Sequence, residues 1–170
     1  MRLLVWMVLG WLGTVLVSAF AARVQVAHMM PNMALVVLIF LAMRKEAPEI
    51  CLTALVLGHV LGLMALAPVG LHETALLVVA LGAFLISGNL SATGSVYAGC
   101  VCILADMGYQ VLLALLLVWQ GYEVGFSSWA TASLLPPALL TGFWGWALYR
   151  PLERLDDWLA PRRPEGLQWR

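Results

Sequence analysis

The sequence predicts an all-α polytopic membrane protein with about six transmembrane helices, and three observations lead to this fold class. Of the 170 residues, 63% are hydrophobic and 11% are charged, and a soluble domain could not keep that much apolar surface away from water. The apolar residues fall into six runs separated by short polar, proline or glycine segments. No Lys or Arg occurs from Gly70 to Tyr149. This distribution argues for membrane lipid as the surroundings and against nucleic acid as a partner.

The first two runs predict helices over residues 3–22 and 29–43, within a single transmembrane domain that covers residues 1–150. The first run has a basic start and a small-residue ending, so a cleaved signal peptide is the alternative. Its length suffices for about 30 Å of hydrocarbon, which favours a retained helix. The second run spans only about 22 Å and carries Pro31 in its first turn. It must tilt little, thin the bilayer or be shielded by its neighbours.

The next two runs predict helices over residues 49–67 and 71–87, joined by a short turn. Small residues recur every four positions along one side of the third helix: Ala54, Gly58 and Gly62. Their lack of bulk lets another backbone approach closely. The stripe therefore predicts either packing inside the protein or binding of a partner helix, according to the direction it faces. Pro31 and Gly70, at the entries to helices 2 and 4, belong to the same group of packing or partner-binding candidates.

The last two runs predict helices over residues 96–119 and 129–149, followed by a cytoplasmic amphipathic tail over residues 151–170. The pair Pro136-Pro137 predicts a kink near the start of helix 6. Leucines recur at helical spacing in the tail: Leu152, Leu155 and Leu159. With charged residues between them, this pattern predicts a short helix in the membrane interface.

The basic residues orient the helices, because six spans place both termini on one side. Eight Lys and Arg fall on that side: Arg2, Arg44, Lys45, Arg150, Arg154, Arg162, Arg163 and Arg170. Arg23 alone falls on the other side. By the positive-inside rule, both termini are cytoplasmic.

Three residues are candidates for buried polar groups: His59, Asp106 and Gln110. Asp106 must face the interior, a cavity or a partner, because a carboxylate at the bilayer centre costs at least about 2.5 kcal/mol. It is either an ion or proton site or, as we favour, a structural carboxyl that ties helix 5 to a neighbour. His59 and Asp106 each lie ten residues into their helices, so they pair if helices 3 and 5 are adjacent; otherwise His59 bonds to a carbonyl or hydroxyl. Gln110 follows Asp106 by one turn.

No catalytic or metal-binding constellation occurs in the sequence. There is no Gly-x-Ser-x-Gly, no His-Glu-x-x-His and no pair of carboxylates at acid/base spacing. We therefore expect no enzyme activity, no metal site and no cofactor.

Short motifs follow one another along the chain in a characteristic order: Pro31-Asn32 before an apolar run that ends at Arg44, Gly58-His-Val-Leu-Gly62, Val69-Gly70-Leu71-His72, and the basic segment Ala147–Asp156. In this order they resemble the rod shape-determining protein MreD family, and the similarity covers most of the chain. The chain departs from the family pattern between Leu63 and Pro68, which lack the acid that the family often carries late in helix 3.

The resemblance implies a non-enzymatic scaffold of the bacterial cell-elongation machinery, located in the cytoplasmic (inner) membrane. Its expected partner is MreC, which has one membrane helix; through MreC come RodA, a penicillin-binding transpeptidase and MreB. The resemblance also implies a fold similar to the substrate-binding subunits of energy-coupling-factor transporters. A small-molecule-binding subunit of a vitamin-type transporter is therefore the alternative. The scaffold function predicts an exposed small-residue or apolar groove, and the alternative predicts an outward-opening polar cavity of several hundred Å³.

Overall fold

A computed structural model describes residues 2–24, 30–44, 46–89, 94–122 and 134–159. All regular structure in these ranges is helical, in six helices: α1 (Arg2–Val24), α2 (Met33–Ala42), α3 (Ala47–Ala65), α4 (Leu71–Asn89), α5 (Ser95–Trp119) and α6 (Leu135–Leu159). By length and composition, α1, α3 and α5 are long and apolar enough to cross a membrane. The protein thus has the features of a helical membrane protein.

The short helix α2 lies at the centre of the bundle and contacts each of the other five helices. All ten of its residues are buried, and none is more than 8% exposed. A helix that is apolar on every side requires neighbours on every side. At about 15 Å, α2 covers only half the hydrocarbon thickness. Shielding by its neighbours is therefore how this short helix is accommodated.

The start of α2 differs from the prediction, because Asn32 and not Pro31 begins the helix. The Asn32 Oδ1 accepts a hydrogen bond from the backbone N–H of Leu35 at 3.2 Å, which is the arrangement that makes Asn a preferred N-cap. Pro31 lies one residue further back, outside the first turn. The backbone N–H of Asn32 donates to Thr141 Oγ1 in α6 at 2.9 Å.

Helices α2 and α6 run parallel and stay in register. The hydrogen bond from the start of α2 to Thr141 joins residues 109 positions apart. The same spacing separates Phe40 from Tyr149, whose rings meet edge to face at 5.9 Å. It also separates Arg44 from Glu153, which form an ion pair. The constant spacing means that α6 accompanies α2 along its whole length.

The segment after residue 150 is a continuation of α6 and not a separate interfacial helix. The helix runs through Pro151 to Leu159. Leu152 and Asp156 are each 5% exposed, so these turns pack against the protein instead of lying on lipid. Residues 160–170 of the predicted tail, and residues 129–133 of predicted helix 6, lie outside the described residues. The two prolines at 136 and 137 lie in the first turn of α6, which directly follows a π-helical residue at position 134.

The small-residue stripe on α3 faces inward, onto α4. A Cβ atom on Gly58 would lie 2.6 Å from Glu73 Cα, so only glycine permits this approach of the two helices. A Cβ on Gly62 would make ordinary contact, 3.8 Å from the His72 ring. Ala54 is fully buried. Of the two roles that the sequence allowed for this stripe, internal packing and binding of a partner helix, the structure shows internal packing.

A second close helix contact, between α5 and α6, also depends on glycines. A Cβ on Gly142 would collide with Ile103, and a Cβ on Gly145 would lie 2.5 Å from Cys102 Sγ. A Cβ on Gly99 would lie 3.1 Å from the Gly142 carbonyl oxygen. The Gly142/Gly145 spacing is a sequence signal of close packing that the prediction did not use.

The two glycines of the α3 stripe should differ in their tolerance of alanine. Gly58→Ala places a methyl group against the α4 backbone and should destabilise the protein by about 1–3 kcal/mol. Gly62→Ala adds a methyl group at ordinary contact distance and should stay near wild type. Thermal unfolding of both variants in the same detergent measures the difference, and equal melting temperatures would contradict this account of the α3/α4 contact.

Candidate functional site

A cavity of about 330 Å³ lies at the end of the bundle toward which α1, α3 and α5 run and from which α2, α4 and α6 begin. Its polar wall comes from α1, α4 and α5, together with the N-cap of α2. The polar side chains that line it are Thr14, Ser18, Asn32, His72, Asp106, Tyr109 and Gln110. Val17, Leu61, Leu113 and Pro137 are among its apolar residues. The cavity therefore combines convergent polar groups with an apolar wall, as small-molecule sites do.

Asp106 is the most deeply placed polar group of this cavity, with 1% of its surface exposed. Gln110 Nε2, one helical turn further on, donates to Asp106 Oδ2 at 3.3 Å. Thr141 of α6 also hydrogen-bonds the Asp106 carboxyl. Because Thr141 Oγ1 accepts from the backbone N–H of Asn32, its own proton is free to donate to Asp106. These bonds tie α2, α5 and α6 together around one carboxylate.

His72 and Tyr109 form a second polar link in the same cavity, between α4 and α5. His72 Nδ1 and Tyr109 Oη share a hydrogen bond of 2.6 Å. Tyr109 is 6% exposed and follows Asp106 by three positions, which places the two side chains on one face of α5. The polar face of α5 therefore includes Tyr109 in addition to the predicted Asp106 and Gln110.

The prediction that His59 is buried and pairs with Asp106 is wrong. The side chain of His59 is 56% exposed, and its Nδ1 lies 3.0 Å from Glu73 Oε1. Helix α3 packs on α4, α1 and α2, whereas α5 packs on α6, α4 and α2. Their positions along the helices predicted a similar depth for the two residues, but nothing in the sequence indicates which helices are adjacent. His59 instead joins α3 to the first turn of α4.

Gly70 acts through its backbone and packs against no helix. Its φ angle is +93°, and no atom lies within 4 Å of the position of a Cβ. Its backbone N–H donates to Glu73 Oε2 at 3.0 Å, so the Glu73 carboxylate caps the start of α4 while it pairs with His59. Gly70 therefore shapes the turn between α3 and α4.

At the opposite end of the bundle, Arg44 connects α2 to the last turns of α6. Besides Glu153, its guanidinium lies within 4.0 Å of Asp156 and 3.9 Å of Asp157, and 5.4 Å from the centre of the Phe40 ring. Burial opposes the charge of Arg44, but the hydrogen bond with Tyr149 and the charge of Glu153 outweigh it and raise the pKa of Arg44. The cation thus stays charged and fixes the end of α2.

An apolar groove of about 200 Å³ runs between α4 and α5 on the outside of the bundle. It is lined entirely by apolar and small residues: Val79, Gly82, Ala83, Ile86, Val101, Leu104, Ala105 and Gly108. A Cβ added to Gly82 or Gly108 would have no atom within 4 Å. The floor of the groove is therefore open space next to the backbone of two helices.

Of the predicted site residues, Pro31, Asp106 and Gln110 line the cavity, whereas Gly58 and Gly62 lie in the α3/α4 contact and Ala54 is buried within the bundle. Reasoning from sequence missed Thr141, whose position in a helix otherwise rich in apolar residues was the available signal. Among the residues that the structure describes, no three His, Cys, Asp or Glu side chains are grouped so that they could hold a metal ion.

The chain matches no protein-family model, and no curated protein or solved structure is significantly similar to it.

Thr141→Val should destabilise the protein, since valine has the shape of threonine but forms neither of its hydrogen bonds. The backbone N–H of Asn32 and one oxygen of Asp106 would lose their partners, at a cost of about 1–3 kcal/mol for a buried unsatisfied group. Thermal unfolding in detergent tests this, with Thr74→Val as control, because Thr74 Oγ1 donates only to carbonyls of its own helix end. Equal effects of the two substitutions would contradict a special role of Thr141.

Proposed function

We propose that the protein is a non-enzymatic scaffold subunit of the bacterial cell-elongation machinery in the inner membrane, as the resemblance to the MreD family implies. Its direct partner is then MreC, and RodA, a penicillin-binding transpeptidase and MreB follow through that partner. The observation that carries the proposal is the groove between α4 and α5. It has the apolar, small-residue character that the binding of another membrane helix requires.

The groove differs from the rest of the apolar surface in the size of its residues. The outer face of α1 presents large side chains that are about half exposed or more: Leu4, Val8, Leu12 and Leu16. Side chains of this kind suit contact with lipid. In the groove, Gly82 and Gly108 leave two backbones accessible between the large side chains of Ile86 and Leu104. A partner helix gains van der Waals contact and close backbone approach at such a site.

All six helices cross the membrane in this proposal, with both termini in the cytoplasm. The excess of Lys and Arg near the two termini and between α2 and α3 supports this orientation. The end of the bundle that carries Arg44 and the last turns of α6 is then cytoplasmic, and the polar cavity lies toward the periplasm. In this proposal the short α2 lies within the membrane and is enclosed by the other helices.

The polar cavity favours a second candidate function, that of a small-molecule-binding subunit of a vitamin-type transporter. Its volume of about 330 Å³ falls in the range of roughly 300–1,000 Å³ found for ligand sites. The placement of Asp106, Gln110, Tyr109 and His72 supplies convergent polar groups. A transporter subunit requires a further component that couples binding to transport, and co-purification would distinguish that component from MreC.

Gly108→Leu should weaken the binding of the partner helix, since the new side chain fills the open floor of the groove. We expect at least about a fivefold loss of co-purified MreC, which corresponds to a packing cost of about 1 kcal/mol. Ala65→Leu is the matched control, because Ala65 is an exposed helical residue of α3 outside the groove. The melting temperature of the purified variant shows whether the fold is intact. A folded Gly108→Leu protein that retains MreC at the wild-type level would count against the groove as the binding site.

A further inference from the structure

We propose that the cavity at the start of α2 and α4 binds a small organic cation, an ammonium group with a short apolar body, whose N–H groups donate to Asp106. This inference goes beyond the scaffold function and does not depend on it. It rests on three observations: the donors around Asp106, the lack of Lys and Arg among the described residues that line the cavity, and the division of the cavity into a polar and an apolar part.

The neighbours of Asp106 donate hydrogen bonds to its carboxyl oxygens. Gln110 Nε2 can only donate, and the Thr141 hydroxyl has its oxygen already engaged by Asn32 N–H. Both partners are neutral. An ionised carboxylate offers about four lone-pair positions, so two neutral donors leave room for more. Asp106 can therefore accept a hydrogen bond from a further donor.

Among the described residues that line the cavity, no Lys or Arg can supply that donor. The sequence contains no Lys or Arg between Lys45 and Arg150, and none lines the cavity among the described residues. The one lining residue that can carry positive charge there, His72, is engaged with Tyr109. A carboxylate inside a membrane protein without a counterion is strongly unfavourable. A cation that enters from outside would supply the positive charge that the described lining of the cavity lacks.

The shape of the cavity favours an organic cation over a bare metal ion. Its volume of about 330 Å³ is many times the space that a single water or ion needs. Leu61, Leu113 and Pro137 form apolar surface on the same cavity as Asp106, which suits a short hydrocarbon chain. Gln110 uses its Nε2 on Asp106, so its Oε1 can accept an N–H of the same ammonium group. An ammonium ion with a short apolar body can contact both the polar and the apolar part of the cavity.

The experiment is a calorimetric titration of the purified full chain in detergent with four probes of matched or simpler chemistry. n-Butylammonium chloride tests the proposal directly. n-Butanol has the same body without charge, tetramethylammonium chloride has charge without N–H donors, and sodium chloride supplies an inorganic cation. Asp106→Asn removes the charge with little change of shape. Asp157→Asn removes a carboxylate at the opposite, exposed end of the bundle and serves as the control.

We expect saturable binding of n-butylammonium to the wild type and to Asp157→Asn, and weaker binding of tetramethylammonium. Asp106→Asn should weaken n-butylammonium binding by at least about 30-fold, because a buried charge pair loses one partner. Equal binding of n-butanol, or unchanged binding to Asp106→Asn, would overturn the proposal. So would saturable sodium binding without any butylammonium binding. If Asp106→Asn does not fold, Gln110→Leu replaces it, and it must weaken n-butylammonium binding more than n-butanol binding. None of these results depends on a partner in the α4/α5 groove.

Discussion

The pairing of α2 with α6 is the constraint on which the rest of the structure depends. A ten-residue helix with every residue buried cannot be held by lipid, so its ends need fixed partners within the protein. Asn32 is bound to Thr141 at one end, and Arg44 is bound to Glu153 at the other. Both pairs are 109 positions apart, so α6 follows α2 in register. The partner of Arg44 is therefore Glu153, and α6 has to remain helical past Pro151 to reach it. This explains why the chain stays helical through Pro151, where the sequence alone suggested that a helix ends.

The short length of α2 also explains the position of the cavity. Residues 30–32, directly before Met33, are not helical, and Met30, Pro31 and Asn32 line the cavity in place of a further helical turn. Several of the polar groups buried there join two elements. Thr141 joins Asn32 to Asp106, and His72 joins Tyr109. The structural role that the sequence favoured for Asp106 and a ligand-binding role are therefore compatible, since the carboxylate holds the helices and keeps acceptor capacity free.

The sequence predicts what depends on local composition and misses what depends on neighbours. Apolar runs predicted the approximate place of the six helices in the described residues, and α5 begins within one residue of its predicted start. The inward orientation of Asp106 followed from the cost of a charge in lipid. The partner of His59 did not follow, because depth along a helix does not determine which helices touch. The extension of α6 was missed for a similar reason: the contacts of Arg44 that hold it join residues far apart in sequence.

The α4/α5 groove and the polar cavity lie on different parts of the molecule, so a partner helix and a small ligand need not compete.

Cross-linking in native membranes tests the scaffold proposal most directly. Gly108→Cys, in a chain with its three native cysteines replaced by serine, would be paired with single cysteines placed along the membrane helix of MreC. The account predicts disulfides at MreC positions spaced three or four residues apart, and few with Leu12→Cys on α1. Cross-links that favour Leu12→Cys, or none at Gly108→Cys, would contradict it.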